Sequence, residues 1–166
     1  MRNIILIGMP AVGKSTVGVL LAKRLGYRFI DSDLLIQERH GKLLHEILAE
    51  RGTDGFLAIE DEVNGSIEAE RSVIATGGSA VYGEDAMEHL RSIGTVVYLK
   101  MDLETLKNRL GDYTHRGVVM RNGCTLEQMY AERAPLYEKY ADIVVQAGTG
   151  TLGDTLERLC QQLEQK

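Results

Sequence analysis

The chain has few cysteines and no extended apolar run. Its two cysteines, Cys124 and Cys160, lack the short spacing of a metal or redox motif, so reduced thiols are the simplest interpretation. No apolar stretch approaches the roughly 20 residues that a membrane-spanning helix needs, and the run at 4–7 is too short for a signal-peptide core. These absences predict a cytoplasmic protein that has no membrane partner.

The chain also lacks any long run of Lys or Arg, and its formal net charge is −5. Nucleic acid is therefore not expected as a partner, because binding a phosphate backbone requires concentrated positive charge. A small anionic substrate needs only a few well-placed arginines and stays compatible with this composition. The length of 166 residues, with 44% hydrophobic and 26% charged residues, predicts one globular domain over residues 1–166, and a monomer is expected.

Short apolar segments alternate with longer segments of helical periodicity. Strands are expected at residues 4–7, 27–30, 73–75, 95–99 and 143–145. Helical patterns occupy residues 17–25, 103–110, 125–140 and 151–162, and most of 33–70 with breaks near 41 and 52–55. This alternation indicates an α/β fold with a parallel sheet covered on both faces, in which ligands bind beyond the carboxyl ends of the strands.

A phosphate-binding loop follows the first expected strand. Residues 8–15 read Gly-Met-Pro-Ala-Val-Gly-Lys-Ser and fit the P-loop pattern G-x-x-x-x-G-K-[ST] in full. Glycines let successive backbone N–H groups converge on a phosphate, and the following helix adds the positive end of its dipole. Lys14 is expected to reach the β- and γ-phosphates of ATP, and the Ser15 hydroxyl to bind Mg²⁺. The expected nucleotide-binding residues here are Gly8, Ala11, Val12, Gly13, Lys14, Ser15 and Thr16.

Two carboxylates follow the second expected strand, in the segment Asp31-Ser32-Asp33. Residues two apart at a strand end project to the same side, so both carboxylates can face the P-loop. Phosphoryl transfer needs one group that holds the hydrated magnesium ion and another that orients the attacking hydroxyl. Asp31 suits the first task and Asp33 the second. The alternative interpretation is that Asp33 merely caps the next helix.

Four motifs together resemble the shikimate kinase family. They are the P-loop, Phe-Ile-Asp-Ser-Asp at 29–33, Ala-Thr-Gly-Gly at 75–78 and Glu-Arg-Ala-Pro-Leu-Tyr at 132–137, in this order over essentially the whole chain. The resemblance implies a P-loop NTPase fold with a five-stranded parallel sheet in the order 2-3-1-4-5. It also implies a mobile lid at about 111–123 and a substrate-binding helical region at about 33–70. The implied reaction is phosphorylation of the shikimate 3-hydroxyl by ATP with Mg²⁺.

The resemblance also implies roles for individual residues. Asp33 matches the aspartate that binds the substrate hydroxyls and serves as base, and Asp31 matches the magnesium-linked aspartate. Arg133 matches the arginine that holds the substrate carboxylate, Arg109 the arginine that packs on adenine, and Arg116 the lid arginine. The expected catalytic residues are Lys14, Asp33 and Arg116, and the expected metal ligands are Ser15 and Asp31. The expected substrate-binding residues are Asp33, Glu60, Gly77, Gly78, Ser79 and Arg133.

Three departures from the family pattern concern the acceptor and the lid. Leu57 replaces an arginine that contacts the shikimate carboxylate, which removes a contact worth about 1.5–3 kcal/mol and leaves Glu60 without a cationic neighbour. Glu60 is then free to accept a hydrogen bond from a substrate hydroxyl or to pair with an amine. Ser79 replaces the third glycine of the substrate loop, so its side chain is expected to intrude. The lid reads Arg-Gly-Val-Val at 116–119 instead of Arg-Pro-Leu-Leu.

Two alternatives to a shikimate kinase stay open at this point. The first keeps the chemistry but changes the acceptor to another polyol, a sugar acid or an amino alcohol. The second is a nucleotide-binding regulator that has lost catalysis. The presence of Asp33 argues against a pure nucleotide binder, which has no use for a carboxylate that orients an acceptor.

Overall fold

The computed structural model describes residues 2–110 and 124–166. The expected lid at 111–123, and with it Arg116, lies outside the described residues. No helix in the two described ranges is long and apolar enough to cross a membrane. Cys124 and Cys160 are both free thiols.

One parallel sheet of five strands has the order β2-β3-β1-β4-β5, as the resemblance implied. The first strand lies in the centre, where Ile5 pairs with Ile74 on one side and with Val96 on the other. The sheet is buried because helices cover both faces, which explains why the inner strands are continuously apolar. The strands are β1 (Asn3–Ile7), β2 (Arg28–Asp31), β3 (Ser72–Ala75), β4 (Gly94–Lys100) and β5 (Ile143–Gln146).

Seven α-helices are described, and most begin or end at residues that favour a boundary. Gly26 and Gly41 end two of them in the left-handed conformation, with φ of 68° and 62°. Thr125 and Gln128 form a capping box at the start of the helix that was expected over 125–140. The helices are α1 (Lys14–Leu25), α2 (Ser32–His40), α3 (Leu44–Gly65), α4 (Glu84–Ile93), α5 (Leu103–Leu110), α6 (Leu126–Tyr140) and α7 (Leu152–Glu164).

The structure differs from the sequence expectations between residues 33 and 94. The predicted break at 52–55 is a single kink inside α3 at Gly52, whose φ of 71° and ψ of 178° are not helical. The helical region ends at Gly65 rather than near residue 70. The helix α4 and the short 3-10 helix Ala80–Tyr82 were not predicted, although α4 buries Ala86, Met87 and Leu90 along one face.

Two apolar clusters hold the elements together. The larger one surrounds the sheet, and the smaller one joins α2 to α3 through Ile36, Ile47, Phe56, Ile59 and Val63. Leu57 packs against this smaller cluster from its edge. Because the cluster fixes the rotation of α3, it places Phe56 and Glu60 against the carboxyl ends of the central strands.

Candidate active site

The loop between β1 and α1 has the backbone of an anion-binding turn. Gly8 and Gly13 have φ of 149° and 97°, and Ala11 also lies in the left-handed region with φ of 68°. A Cβ on Gly8 would come within 2.7 Å of the Leu99 carbonyl oxygen. A non-glycine residue in the left-handed region is a mark of local strain, which proteins concentrate at functional sites. This loop therefore keeps the geometry that the P-loop pattern predicted.

Lys14 begins α1 and is almost completely buried, with 8% of its surface exposed. Its Nζ donates hydrogen bonds to the carbonyl oxygens of Gly8, at 2.7 Å, and Met9, at 2.8 Å. Burial lowers its pKa to about 8, although the nearby carboxylates, above all Asp33, act in the opposite direction. The loop thus carries a buried ammonium group at its centre.

The carboxylates of Asp31 and Asp33 have different surroundings. Asp31 caps α2, since its Oδ1 accepts from the Asp33 amide at 3.0 Å, and its Oδ2 accepts from the Ser15 hydroxyl at 3.1 Å. The capping role that was an alternative for Asp33 therefore belongs to Asp31. The Asp33 side chain lines the cavity beside the P-loop, and its pKa is raised to about 6 by burial and then by Asp31, against the opposing effect of Lys14.

Arg133 lies on α6 with 2% of its surface exposed. Its Nε donates to the Tyr82 hydroxyl at 3.3 Å, and its guanidinium carbon lies 5.4 Å from the centre of the Tyr82 ring. A Cβ on Gly78 would come within 3.1 Å of Nη1 of Arg133 and 2.8 Å of Cδ of Pro10. The Tyr137 hydroxyl donates to the Gly78 carbonyl oxygen at 2.5 Å. The glycine loop after β3 is thus held between the P-loop and α6.

Glu60 and Ser79 form a buried pair. The Ser79 hydroxyl donates to Oε1 of Glu60 at 2.6 Å, and the two residues are 5% and 2% exposed. Burial raises the pKa of Glu60 to about 7, and Asp33 acts in the same direction, while the Ser79 hydrogen bond, Arg133 and Lys14 oppose it. The Ser79 side chain, which was expected to intrude on the ligand, is therefore turned toward a carboxylate.

One cavity of about 270 Å³ collects most of the predicted residues. Gly8 and Val12 are buried and do not line it. Asp31 does not line it either, but its carboxylate accepts a hydrogen bond from Ser15, which does. Arg109 is exposed in the last turn of α5 and also does not line it. The predicted residues that do line it are Ala11, Gly13, Lys14, Ser15, Thr16, Asp33, Glu60, Gly77, Gly78, Ser79 and Arg133.

A phosphate-binding loop, a half-buried carboxylate and a buried guanidinium around one small cavity suit phosphoryl transfer to a compact acceptor. The sequence profile described as "Shikimate kinase" matches residues 10–164. The chain belongs to the shikimate kinase family. A shikimate kinase of Chloroherpeton thalassium is 38% identical over 172 residues, and the match covers 97% of this chain and 91% of the relative.

Solved structures of the family agree with the fold. The shikimate kinase of Acinetobacter baumannii in complex with shikimate superposes with a TM-score of 0.89 at 30% identity, covering 99% of this chain and 94% of the other. The shikimate kinase of Aquifex aeolicus gives a TM-score of 0.84 at 33% identity, covering 98% and 96%. The arrangement of this shikimate kinase family member is therefore that of experimentally determined relatives over nearly its whole length.

Four residues that line the cavity were not predicted: Pro10, Leu44, Phe56 and Thr76. Thr76 lies within the Ala-Thr-Gly-Gly motif, and its hydroxyl donates to the Leu6 carbonyl oxygen at 2.9 Å, so it joins β3 to β1 at the cavity floor. The motif itself was a sufficient signal for Thr76. Leu44 and Phe56 carry no motif, and their positions follow from the packing of α3.

The donor set is compatible with magnesium. Among the described residues, no group of three or more His, Cys, Asp and Glu side chains is placed to hold a metal ion. Mg²⁺ in phosphoryl-transfer sites keeps several waters and takes one or two protein oxygens together with the substrate phosphates. The adjoining oxygens of Ser15 and Asp31 fit that requirement.

Proposed function

We propose that this chain phosphorylates the 3-hydroxyl of shikimate with ATP, in the cytoplasm and as a monomer. The observation that carries the proposal is the convergence of the P-loop, Asp33, the glycine loop and Arg133 around one cavity in a member of the shikimate kinase family. The cavity of about 270 Å³ suits a compact acceptor, and its walls combine cations and carboxylates that can bind anions and hydroxyl groups.

The P-loop is proposed to hold the phosphates of ATP. Its backbone amides and the amino end of α1 face the β- and γ-phosphates, and Lys14 exchanges its contacts with the loop carbonyls for contacts with phosphate oxygens. Ser15 and Asp31 would hold Mg²⁺ between them. When bound, the ion supplies positive charge that offsets the charge of the phosphates.

Asp33 is proposed to orient the acceptor and take its proton. The acceptor oxygen attacks the γ-phosphorus in line, the bond from that phosphorus to the β–γ bridging oxygen breaks, and ADP leaves. The hydroxyl proton passes to the Asp33 carboxylate, whose pKa of about 6 keeps it mostly ionised at neutral pH and ready to accept a proton.

Arg133 is proposed to bind the carboxylate of the acceptor. It is held between the Tyr82 ring and the glycine loop, so little side-chain freedom is lost when an anion binds. Gly77, Gly78 and Ser79 form the adjoining wall. The contact of Arg109 with adenine and the closure of Arg116 over the phosphates remain predictions from the resemblance.

The test is a coupled ADP-release assay with ATP and Mg²⁺, in which shikimate is compared with a panel of other polyols, sugar acids and amino alcohols. We expect turnover on shikimate at least tenfold above any other acceptor. The replacement of the family arginine by Leu57, which packs against the smaller cluster and does not line the cavity, favours the other acceptors as the second candidate. Turnover on one of them and not on shikimate would replace the proposed acceptor. ATP binding without turnover on any acceptor would indicate a regulator.

A further inference from the structure

The strand β5 forms one edge of the sheet, and its own side chains offer little protection against further pairing. Its four residues, Ile-Val-Val-Gln at 143–146, carry no charge, and the first three are β-branched. Val144 is 43% exposed. The opposite edge strand, β2, is equally short but contains Arg28 and Asp31. An uncharged, β-branched edge is a template for pairing with another strand unless its free backbone groups are covered.

The pairing with β4 shows which backbone groups of β5 face outward. The amide of Ala147, the residue after β5, donates to the Lys100 carbonyl oxygen at 2.7 Å, so the N–H of Ala147 points toward β4. Successive residues of a strand direct their backbone groups to alternate edges. Val144 and Gln146 therefore turn their N–H and C=O groups to the open side of the sheet.

Helix α7 and the end of the chain supply side-chain donors to the carbonyl oxygens along this edge. The bonds run from Nε of Arg158 to Gln146 at 3.1 Å, from Nε2 of Gln162 to Val144 at 3.3 Å, and from Nζ of Lys166 to Asp142 at 3.1 Å. Each acceptor lies two residues from the next. The carbonyls that an added strand would use are thus already engaged by side chains of the same chain.

The spacing of the donors matches the spacing of the acceptors. Donors four residues apart in a helix are separated by a rise of about 6 Å, and acceptors two residues apart in a parallel strand by about 6.6 Å. The two series run in opposite directions, because α7 returns along the strand that precedes it. Two series with nearly equal spacing stay in register over three pairs, so this one helix can cover the whole edge.

We propose that α7 closes the β5 edge against a second copy of this chain, through the side chains of Arg158, Gln162 and Lys166. Without these donors, β5 pairs in antiparallel orientation with β5 of the second copy, about a twofold axis. The partner follows from the composition of the strand, because an uncharged β-branched segment is complementary to itself and two identical edges make a closed dimer. This inference goes beyond the proposed function and does not depend on the acceptor.

The experiment compares two triple variants with the unmodified chain by analytical ultracentrifugation up to millimolar concentration. The edge variant carries Arg158→Met, Gln162→Met and Lys166→Met, which remove the donors and keep long side chains. The control variant carries Gln161→Met, Glu164→Met and Gln165→Met. These three are exposed, and none of them donates to β5 within the described residues, so the control adds the same apolar side chains without opening the edge. Thermal unfolding checks that both variants are folded, and Gln162→Leu alone replaces an edge variant that is not.

We expect the edge variant to self-associate roughly tenfold or more tightly than the control variant and the unmodified chain. Hydrogen exchange at the amides of Val144 and Gln146, followed by NMR, should slow by about tenfold or more as the edge variant is concentrated, because these N–H groups enter the new pairing. Adding Val144→Lys to the edge variant should restore the monomer, since like charges then meet across the paired strands.

Several outcomes would overturn the inference and leave the proposed reaction intact. An edge variant that stays monomeric at millimolar concentration is one. Equal self-association of the control variant is another, because it would assign the effect to apolar surface alone. Association with unchanged exchange at Val144 and Gln146 would show that a different surface is used. If the unmodified chain already self-associates with slow exchange at these two amides, the edge is open, and the proposed monomer fails together with the inference.

Discussion

The two ends of the parallel sheet both carry a cavity, but they differ in how their buried polar groups are bonded. The cavity at the amino ends of the strands is the larger, at about 830 Å³, and is lined by residues such as Arg2, Ile4, Gly94 and Lys166. Arg2 donates to the carbonyl oxygens of Arg91 and Ser92, and Lys166 donates to that of Asp142. Arg2 and Lys166 are therefore engaged with backbone, and Arg24, which also lines this cavity, is paired with Glu157.

Buried side chains show the same contrast. At the amino end, Asn3 is 2% exposed, and its amide group donates to the carbonyls of Ala69 and Ile93 and accepts from the Ser72 amide. At the carboxyl end, Glu60 is equally buried, and within the described ranges only its Oε1 has a hydrogen-bond partner. This unused bonding capacity, in a cavity that the P-loop and Lys14 also line, marks the smaller cavity as the functional one, whereas cavity size alone would have selected the other end.

The largest expected effect at the carboxyl end is that of Asp33→Asn. It should lower kcat at least a hundredfold, because it removes the proposed base, and leave the dissociation constant for ATP nearly unchanged. Asp54→Asn, the same change at an exposed position of α3, is the control for the ADP-release assay. Loss of ATP binding in Asp33→Asn would contradict the role assigned to Asp33.

Gly77→Ala should have the next largest effect. Its Cβ would lie 2.8 Å from oxygens of both Asp33 and Glu60, so it should lower kcat/KM for the acceptor tenfold to a hundredfold, which corresponds to about 1–3 kcal/mol of overpacking. Gly41→Ala is the control, because a Cβ there meets nothing within 4 Å. It should lower the melting temperature, owing to the φ of 62°, and keep activity. Equal activities of the two variants would contradict the placement of Gly77.

The burial of Glu60 at the carboxyl end should also lower the free energy of unfolding of the chain. Its pKa rises from the ordinary 4.5 to about 7 in the folded chain, so the folded state binds more protons than the unfolded state between these values. The free energy of unfolding therefore falls as the pH rises through this window. Glu60→Gln should remove that fall and stabilise the chain at pH 8 by about 1–3 kcal/mol. Urea unfolding at pH 5.5 and pH 8 measures it. A steeper fall in the variant would contradict the prediction.

The smallest effect is expected at the amino end. Arg2→Met removes exposed hydrogen bonds to two backbone carbonyls, so the free energy of unfolding should change by no more than about 0.5 kcal/mol. Turnover and both KM values should stay within twofold of the unmodified chain. A large loss of activity in Arg2→Met would break the distinction between the two ends.

The sequence predicts much of the carboxyl end, because short motifs control it. Lys14, Asp33 and Gly77 each lie in a segment whose backbone conformation depends on a few neighbouring residues. The order of the strands followed from the family resemblance, since periodicity alone does not order parallel strands. The cap of α2 is Asp31, whereas the sequence had offered only Asp33 as a cap, and that as the alternative interpretation. The position of the cap depends on where β2 ends, which sequence places only within a residue or two.

The contacts that sequence could not supply join segments far apart in the chain. The hydrogen bond from Ser79 to Glu60 depends on how α3 rotates over the sheet, and this rotation is set by the apolar cluster around Phe56. The helix α4 was not predicted because it closely follows the glycine loop and begins with polar residues, which obscured the periodicity of its apolar face. Arg109 shows the converse, since its predicted role came from the resemblance and its side chain is exposed outside the cavity.

Arg133 and Tyr137 lie one turn apart on α6, and the second holds the carbonyl of Gly78. A displacement of α6 that keeps this hydrogen bond therefore moves the guanidinium group and the glycine loop together. The spacing between the cation and the floor of the cavity is thereby conserved through such a movement. An acceptor bound at both points would move together with the helix and would not be distorted by that movement.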